Sequence, residues 1–281
     1  MTSWRIGIVH TTRVSYSGEA RASYNECRMT PPDLPRQTVL ATTVRTGSNA
    51  PIWTYRDYWG TTVSSFDIQE PHHELLVQAS ATVQTSAPEP PGPVLPWTEL
   101  REQAAGRYML EFLAETARTT IQPEVAAEVS EQVAGAQPDQ AAREIVRLVN
   151  SRVSYKPGST GVQTSAQEAW DARSGVCQDM AHISVALLRA AGIPARYVSG
   201  YLHPDPQAEP GYAVAGQSHA WAEYWTGEWV PCDPTSLAPV GERHVVLGRG
   251  RDYADVSPLS GIYSGAPSVA MQVTVEVTRL A

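Results

Sequence analysis

The sequence predicts an α+β fold in which a β-sandwich is followed by a domain of mixed helices and strands. A period of two residues recurs from Trp4 to about Gln84, and a helical period begins after a proline-rich segment. With 281 residues, the chain is longer than one typical domain of about 100–200 residues. We therefore expect two domains, residues 1–87 and 98–281, joined by a linker at 88–97.

Composition and charge narrow the class of protein. Hydrophobic residues make up 42% and charged residues 18% of the chain, so it can bury a core and is neither disordered nor collagen-like. The 21 Lys and Arg against 29 Asp and Glu give a net charge of −8. A broad basic surface for nucleic-acid phosphates is absent, so nucleic acid is not expected as a partner.

Signals for location are also absent from the sequence. The N-terminal residues contain no apolar signal segment, and no run reaches about 18 apolar residues. We therefore expect a cytoplasmic protein without a membrane partner. The three cysteines, Cys27, Cys177 and Cys232, are odd in number and lack C-x-x-C spacing, which predicts neither a disulfide framework nor a zinc site.

The N-terminal strands are predicted from alternation between turn residues. Trp4, Ile6 and Ile8 alternate with polar or small residues. Four further runs with strand character lie at 38–45, 52–58, 63–68 and 74–83. Short strands at this spacing are typical of a sandwich.

The proline-rich segment and the helices after it follow from local chemistry. Five prolines lie between Ser86 and Pro96, and proline fixes φ and removes an amide donor, so this segment is predicted as the linker. Helices are predicted over 100–117, 123–133, 139–149 and 175–191. Strands are predicted over 195–202, 218–225, 228–233 and 269–277.

Cys177 lies in the first turn of the last of these predicted helices. A residue in the first helical turn lies beside unpaired amide N–H groups and the positive end of the helix dipole, which favour a thiolate. We therefore predict that Cys177 is a nucleophile. The alternative is that a small, weakly polar side chain packs there without chemistry.

A hairpin joins the two other candidates. The turn at Thr226 and Gly227 brings Asp233 to within about three residues of the point opposite His219. A carboxylate beside an imidazole fixes its tautomer and stabilises its protonated form, as the base of a cysteine nucleophile requires. Alternation also places Trp221 and Glu223 on the face of the strand that carries His219.

Four segments carry a resemblance to a known family. The sequences SGVCQDMAH at 174–182, GIPARYVSGYL at 192–202, HAWAE at 219–223 and DPT at 233–235 resemble the transglutaminase-like core of the papain-like cysteine protease superfamily. The segments YNECR at 24–28 and DYWG at 57–60 resemble the β-rich N-terminal domain of bacterial transglutaminase-like proteins. The likeness covers nearly the whole chain.

The resemblance implies a Cys-His-Asp triad. Cys177 would attack a carboxamide or peptide carbonyl, His219 would take and return the proton, and Asp233 would orient His219. The acyl-thioenzyme would then pass to water or to an amine, with hydrolysis of a peptide or protein substrate expected before transamidation. The alternative is a non-catalytic peptide-binding module on the same fold. No cofactor or metal is expected, because no acidic calcium loop is present.

Further site candidates surround the predicted nucleophile. The Cys177 amide supplies one oxyanion donor, and Tyr155, Gln163 and Gln178 are candidates for the second. Trp221 is a candidate wall of the substrate site. Glu223 could bind a substrate amine or pair with a core arginine such as Arg196.

Two nearby features are assigned simpler roles. His182 is predicted to lie on a helix face and to bond a backbone carbonyl. Residues 248–252 lack the glycine set of a phosphate loop and are predicted as a surface loop near the site.

Overall fold

The computed structural model describes residues 3–87, 92, 94–106 and 109–281. Half of the predicted linker, 88–97, lies outside these residues. The described part contains the α-helices α1 (Trp97–Ala104), α2 (Pro123–Gln132), α3 (Pro138–Arg152), α4 (Ala166–Ala172) and α5 (Cys177–Ala190). Its strands are β1 (Ser3–Cys27), β2 (Gln37–Thr46), β3 (Trp53–Arg56), β4 (Thr62–Ile68), β5 (His72–Ser86), β6 (Ser154–Tyr155), β7 (Ser174–Gly175), β8 (Ala195–Leu202), β9 (Ala213–Trp225), β10 (Trp229–Cys232), β11 (His244–Gly250), β12 (Leu259–Gly265) and β13 (Ser268–Arg279).

The predicted fold class is confirmed: the chain is α+β, with a curled N-terminal sheet. The first strand, β1, is 25 residues long and pairs with β4, β5, β12 and β13. Trp4, Ile6 and Ile8 alternate into a core that also contains Tyr201 of β8 and Val245 of β11. This core joins the N-terminal sheet to the strands that carry the predicted site.

The C-terminal strands complete the N-terminal sheet. Both β12 and β13 pair antiparallel with β1, and β13 faces β1 from Ile6 to Tyr16. The division at residue 87 stays a prediction, but the segment 259–279, which the sequence assigned to the second domain, forms part of the first sheet. Alternation had predicted the strand but not its partner.

Strand β9 links the two sheets. Its first four residues, 213–216, pair with β13, and the rest pairs with β8 as far as Tyr224. The second half of β9 therefore lies in the order β11-β8-β9-β10. His219 in this half pairs with Gly200 of β8, and the pairing with β10 begins three residues later, at Ala222.

Helix α5 forms the centre of the second core. Met180, Ile183 and Leu187 recur at the predicted helical spacing and are buried together with residues of α3, α4, β8 and β9. The helix ends before Gly192, whose φ of +81° favours glycine because left-handed backbone strains other residues. Buried packing of this kind fixes the position of the first residue of α5, Cys177.

The helix predicted over 100–117 was wrong. The structure ends α1 at Ala104, and a short 3-10 turn follows at Leu110–Phe112. Gly106 donates its amide N–H to the carbonyl of Gln103 at 3.0 Å, which tightens and closes the helix. Glycine is a poor helix former, so its position inside the predicted helix was the missed signal.

Candidate active site

Cys177 is the first residue of α5 and follows the extended residue Val176. Its partly buried side chain packs against Tyr197, Ala220 and Val256. The first amide groups of a helix have no carbonyl partner one turn earlier. The thiol and the positive end of the helix dipole therefore share one region, an arrangement that in general stabilises an anion.

Asp179 fixes the start of α5. Its Oδ2 accepts the Val176 amide N–H at 2.7 Å and the Thr160 hydroxyl at 2.6 Å. Burial raises the pKa of Asp179 above its ordinary value. A Cβ at Gly175 would lie 2.8 Å from the Asp179 Cβ, so glycine permits this close approach. The loop that contains Thr160 is thereby tied to the helix that presents Cys177.

His219 and Asp233 lie on the two strands of the predicted hairpin. Cys232 of β10 pairs with Ala222 of β9, which brings the next residue, Asp233, alongside His219. The His219 Nε2 and the Asp233 Oδ2 are 3.0 Å apart. The turn at Thr226 and Gly227 therefore produces the pairing that the sequence predicts.

Asp233 is held as a buried anion. Its Oδ1 accepts the Thr235 amide N–H at 2.9 Å, and its Oδ2 accepts the Ser236 hydroxyl at 2.7 Å. Burial on its own raises the pKa of Asp233, but the hydrogen bonds from His219 and Ser236, the nearby His244 ring and the charge of His219 bring that pKa well below its usual range. The carboxylate is therefore ionised across the physiological range.

The other nitrogen of His219 is left for Cys177. Because Nε2 bonds Asp233, Nδ1 is the ring nitrogen left for an interaction with the Cys177 thiol, which is among the groups that raise the pKa of His219. Burial lowers the pKa of His219, but the hydrogen bonds and charges of Asp233 and Cys177 raise it overall to about 9. Protonated His219 beside Cys177 is the pairing from which a thiolate nucleophile acts.

A metal ion is a second possibility for this cluster. Ligand atoms of His219, Asp233 and His244 lie within 4.8 Å of one another. However, the His244 Nδ1 accepts the Gly241 amide N–H at 3.2 Å, so the proton of neutral His244 resides on Nε2. A metal-bound histidine normally donates its second N–H to an acceptor. His244 has the reverse arrangement, which fits a hydrogen-bonded cluster and not a metal ligand.

The structure brings one oxyanion candidate close to Cys177. Tyr155 in β6 pairs with Gly175 in β7, two residues before Cys177. Burial and then the charge of Cys177 raise the pKa of Tyr155. Gln163 lies in the following exposed loop, where its Oε1 accepts a hydrogen bond from Arg118 at 2.6 Å. Gln178 is half-buried in the first turn of α5.

The structure places Trp221 and Glu223 in a buried layer, not at an open substrate wall. Trp221 is fully buried, and a Cβ at Gly200 would lie 2.6 Å from its ring. Glu223 is ion-paired with Arg196 at 2.5 Å and with Arg249 at 2.9 Å. The pairing of Glu223 with Arg196 is confirmed, and the substrate roles of Trp221 and Glu223 stay predictions. The alternation of side chains along β9 predicted that Trp221 and Glu223 share a face of the strand, but it did not predict that this face is buried.

Two expectations near the site are corrected. The His182 Nε2 accepts the Tyr253 amide N–H at 3.1 Å and does not bond a carbonyl. Residues 248–250 belong to β11, and Asp252 is buried, so 248–252 is not a surface loop. The Tyr253 side chain packs against the cluster that contains Cys177.

Sequence reasoning missed Tyr253 and His244. The Asp252 carboxylate accepts the Ala254 amide N–H at 2.6 Å, and an aspartate that caps a turn is a signal readable from sequence. His244 lies beside Asp233 through strand pairing that local patterns do not reveal. No comparable sequence signal precedes His244.

A cavity of about 600 Å³ lies behind Asp233. Asp233, His244 and Trp221 line it, together with Arg249 of β11 and Arg143 of α3. Neither Cys177 nor His219 is among its lining residues. The cavity therefore lies on the far side of Asp233 from the thiol.

The fold and the site together define a protein with a papain-like, transglutaminase-like fold. Residues 124–234 match the family model of the transglutaminase-like superfamily, and residues 6–84 match that of the bacterial transglutaminase-like N-terminal region. The first match contains Cys177, His219 and Asp233. The chain belongs to the transglutaminase-like superfamily.

Relatives extend this likeness over the full chain. An uncharacterized protein of Mycobacterium leprae is 44% identical over 278 residues, which cover 99% of this chain and all of that protein. A Pseudomonas aeruginosa protein-glutamine gamma-glutamyltransferase is 38% identical over 122 residues, which cover 40% of this chain and 18% of that protein. The structure of a proposed cysteine protease from Cytophaga hutchinsonii has a TM-score of 0.77 and 23% identity over 98% of this chain and 91% of that one. The likeness to the Cytophaga hutchinsonii structure shows that the two proteins share a fold.

Within the described ranges, every helix is too short or too polar to cross a lipid bilayer.

Proposed function

We propose that the protein is a cysteine-dependent acyl-transfer enzyme that hydrolyses a peptide, isopeptide or side-chain amide bond. The observation that carries the proposal is the chain of contacts from Cys177 through His219 to Asp233, with the His219 Nε2 3.0 Å from the Asp233 Oδ2. Membership of the transglutaminase-like superfamily supports the same chemistry.

The proposed reaction has two half-reactions. The Cys177 thiolate attacks the substrate carbonyl carbon, and the carbonyl oxygen becomes an oxyanion. Collapse of this intermediate breaks the C–N bond while the His219 Nδ1–H protonates the leaving amine, which gives a thioester and neutral His219. His219 then takes a proton from water, the hydroxide attacks the thioester, and the free acid leaves as the thiolate and the imidazolium reform.

The oxyanion needs donors aimed at it. The Cys177 backbone N–H provides one, because the first amide of a helix has no partner one turn earlier. For the second we propose Tyr155, because pairing with Gly175 keeps it beside Cys177. Gln163 is the alternative, since the bond from Arg118 occupies its carbonyl oxygen and leaves its NH₂ group as a donor.

Water is the proposed acyl acceptor. Transamidation requires an amine site from which water is excluded, typically walled by apolar side chains. Trp221, the aromatic residue nearest His219 on β9, is buried beneath the sheet, and residues 209–213 at the start of β9 are exposed. Transamidation remains the second candidate function, favoured by the partial similarity to the Pseudomonas aeruginosa gamma-glutamyltransferase.

A peptide library with glutaminyl residues tests the proposal in the presence of a millimolar primary amine. Mass spectrometry should detect more free acid than amine adduct, and Cys177→Ala should form neither product. Cys232→Ala is the matched control and should remain active, because the Cys232 thiol bonds the Ala222 carbonyl. A product that is mostly adduct would favour the transamidase.

Absence of both products with the parent protein would favour the non-catalytic module, and thiol labelling tests this directly. Iodoacetamide at about pH 6 should modify Cys177 first, because an ordinary thiol is almost fully protonated at that pH. Burial raises the pKa of the Cys27 thiol to about 11 and raises the pKa of the Cys232 thiol further still, so both should react more slowly than Cys177. Equal labelling of all three cysteines would contradict catalysis by Cys177.

The remaining proposals concern partners and location. We propose a peptide or protein substrate, with neither nucleic acid nor membrane as a partner, on the basis of the net charge of −8 and the protease-like site. The cytoplasmic location remains a prediction. Cell fractionation with an antibody to the chain tests the location.

A further inference from the structure

His244 is a buried imidazole beside the proposed triad that the mechanism above does not use. It begins β11 and is 5% exposed. Its Nε2 lies 3.8 Å from the Asp233 Oδ2. Its ring packs edge-on against Trp221 at 5.3 Å between centroids and lies 6.1 Å from the ring of His219. His244 is therefore held beside Asp233, between Trp221 and the proposed triad.

A turn determines which nitrogen of His244 holds the proton. The His244 amide N–H donates to the Gly241 carbonyl at 2.9 Å, and the Gly241 amide N–H donates to the His244 Nδ1 at 3.2 Å. Burial lowers the pKa of His244, so the ring is neutral. Since Nδ1 accepts a bond, Nε2 bears the hydrogen. Among the described residues, Nε2 has no formed hydrogen bond.

We propose that His244 is a positioning residue, whose Nε2–H points at the Asp233 Oδ2 and keeps the carboxylate aimed at His219. The inference rests on the proposed function of the Cys177, His219 and Asp233 cluster. At 3.8 Å the contact is longer than a formed hydrogen bond. The N–H dipole therefore acts electrostatically: it stabilises charge on Oδ2 and opposes rotation of the carboxylate away from His219.

Apart from His219, the groups that hold the Asp233 carboxylate come from its own loop. Thr235 and Ser236 lie two and three residues after Asp233, so they move with it. His244 belongs to β11, which pairs with β8. The contact therefore ties Asp233 to the sheet that also holds His219, which a bond within the loop cannot do.

Two substitutions of His244 distinguish the effect of losing the Nε2–H donor from the effect of losing the imidazole ring. Glutamine places an amide N–H near the position of Nε2, so His244→Gln retains a donor toward Asp233. Asparagine places its oxygen near the position of Nδ1, so His244→Asn retains the acceptor for the Gly241 N–H and loses the donor. Both variants shrink the side chain in the same buried place, so they act as matched controls for packing.

The measurement is the rate of Cys177 alkylation by iodoacetamide at about pH 6, followed by peptide mass spectrometry. This rate reports the thiolate paired with His219 and needs no known substrate. The parent and His244→Gln should agree within about twofold, and His244→Asn should be slower by about three- to tenfold, since a tenfold change corresponds to one unit of pKa. With a substrate, His244→Asn should lower kcat and leave KM unchanged.

The outcomes separate the two proposals. A parent protein whose Cys177 reacts no faster than Cys232 would refute the proposed function and this inference with it. A reactive parent with an equally reactive His244→Asn would overturn the inference alone. Equal slowing by both substitutions would also overturn it, because packing would then account for the loss.

A measurement on the parent protein tests the inference even if the His244 variants do not fold. Nitrogen-15 NMR of the histidine rings at pH 7 should show His244 protonated at Nε2 and bare at Nδ1. A proton on Nδ1 would overturn the inference. Stoichiometric zinc binding at pH 7 that is lost in His244→Asn would overturn it too, because a metal ligand requires a bare Nε2.

Discussion

Asp233, which directly follows β10, and Glu223 of β9 are two buried carboxylates, with exposures of 2% and 4%. In both, burial on its own raises the pKa, and the partners reverse this so that the pKa lies below its ordinary value. The partners differ in kind. Glu223 is held by the guanidinium groups of Arg196 and Arg249, whereas Asp233 is held by His219, a hydroxyl and an amide.

The difference distinguishes a structural acid from a candidate catalytic acid. Arginine stays charged at every relevant pH, so the ion pairs of Glu223 do not change during a reaction. Arg196 is further fixed by its position 3.9 Å above the centre of the Trp229 ring. Histidine gains and loses its proton near neutrality. The carboxylate that faces the imidazole is therefore the one whose interaction energy changes with each step of acyl transfer.

The largest expected effect that tests this comparison is that of Asp233→Asn on turnover. The amide keeps the shape of the carboxylate but removes the negative charge that orients and stabilises protonated His219. We expect kcat to fall by about two to four orders of magnitude with the fold retained. Circular dichroism and steady-state kinetics together measure both quantities. An Asp233→Asn variant as active as the parent would move the orienting role to another carboxylate.

Glu223→Gln should have the opposite pattern of effects, with a loss of stability and almost no change in turnover. Removing this charge leaves two guanidinium groups in a largely buried site without their anion, so the free energy of unfolding should fall by about 3 kcal/mol. Turnover per folded molecule should change by less than about twofold. Urea unfolding and active-site titration with an alkylating agent separate the two effects. Loss of kcat without loss of stability would remove the distinction between the two acids.

Of the two carboxylates, Asp233 is the one whose surroundings could be predicted from local sequence patterns. The position of Cys177 follows from a helix whose apolar residues recur every three or four positions, and the approach of Asp233 to His219 follows from a short turn. Both arguments span few residues, so periodicity and turn geometry suffice. Tertiary burial is harder to predict, which is why Trp221 and Glu223 were predicted to contact substrate although the sheet buries them.

Long-range pairing accounts for the rest of what the sequence left open. Alternation predicted a strand over 269–277, yet its partner is β1 at the other end of the chain. His244 reaches Asp233 because β11 joins β8, which joins β9. A period of two residues indicates which side chains share a face, but any strand with a compatible face satisfies it. The partner is selected by the whole packed structure.

The smallest expected effect concerns the dependence of stability on pH. The pKa of His219 is raised from its ordinary 6.5 to about 9 in the folded protein. A raised folded-state pKa contributes stability that is fully present below pH 6.5 and is lost as the pH rises through about 9. Asp233→Asn removes the main partner that raises this pKa, so it should remove most of this dependence.

Urea unfolding at about pH 6 and about pH 9.5 measures this effect. All proteins carry Cys177→Ala, so that ionisation of the thiol does not contribute. The comparison is between the Cys177→Ala protein and the double variant that also carries Asp233→Asn. The free energy of unfolding of the first should exceed that of the second by a margin that is about 1–2 kcal/mol larger at the lower pH than at the higher. Glu223→Gln should show the same loss of stability at both, because arginine does not titrate in this range. Equal pH slopes for the Asp233→Asn variant and its parent would show that Asp233 does not set the charge state of His219.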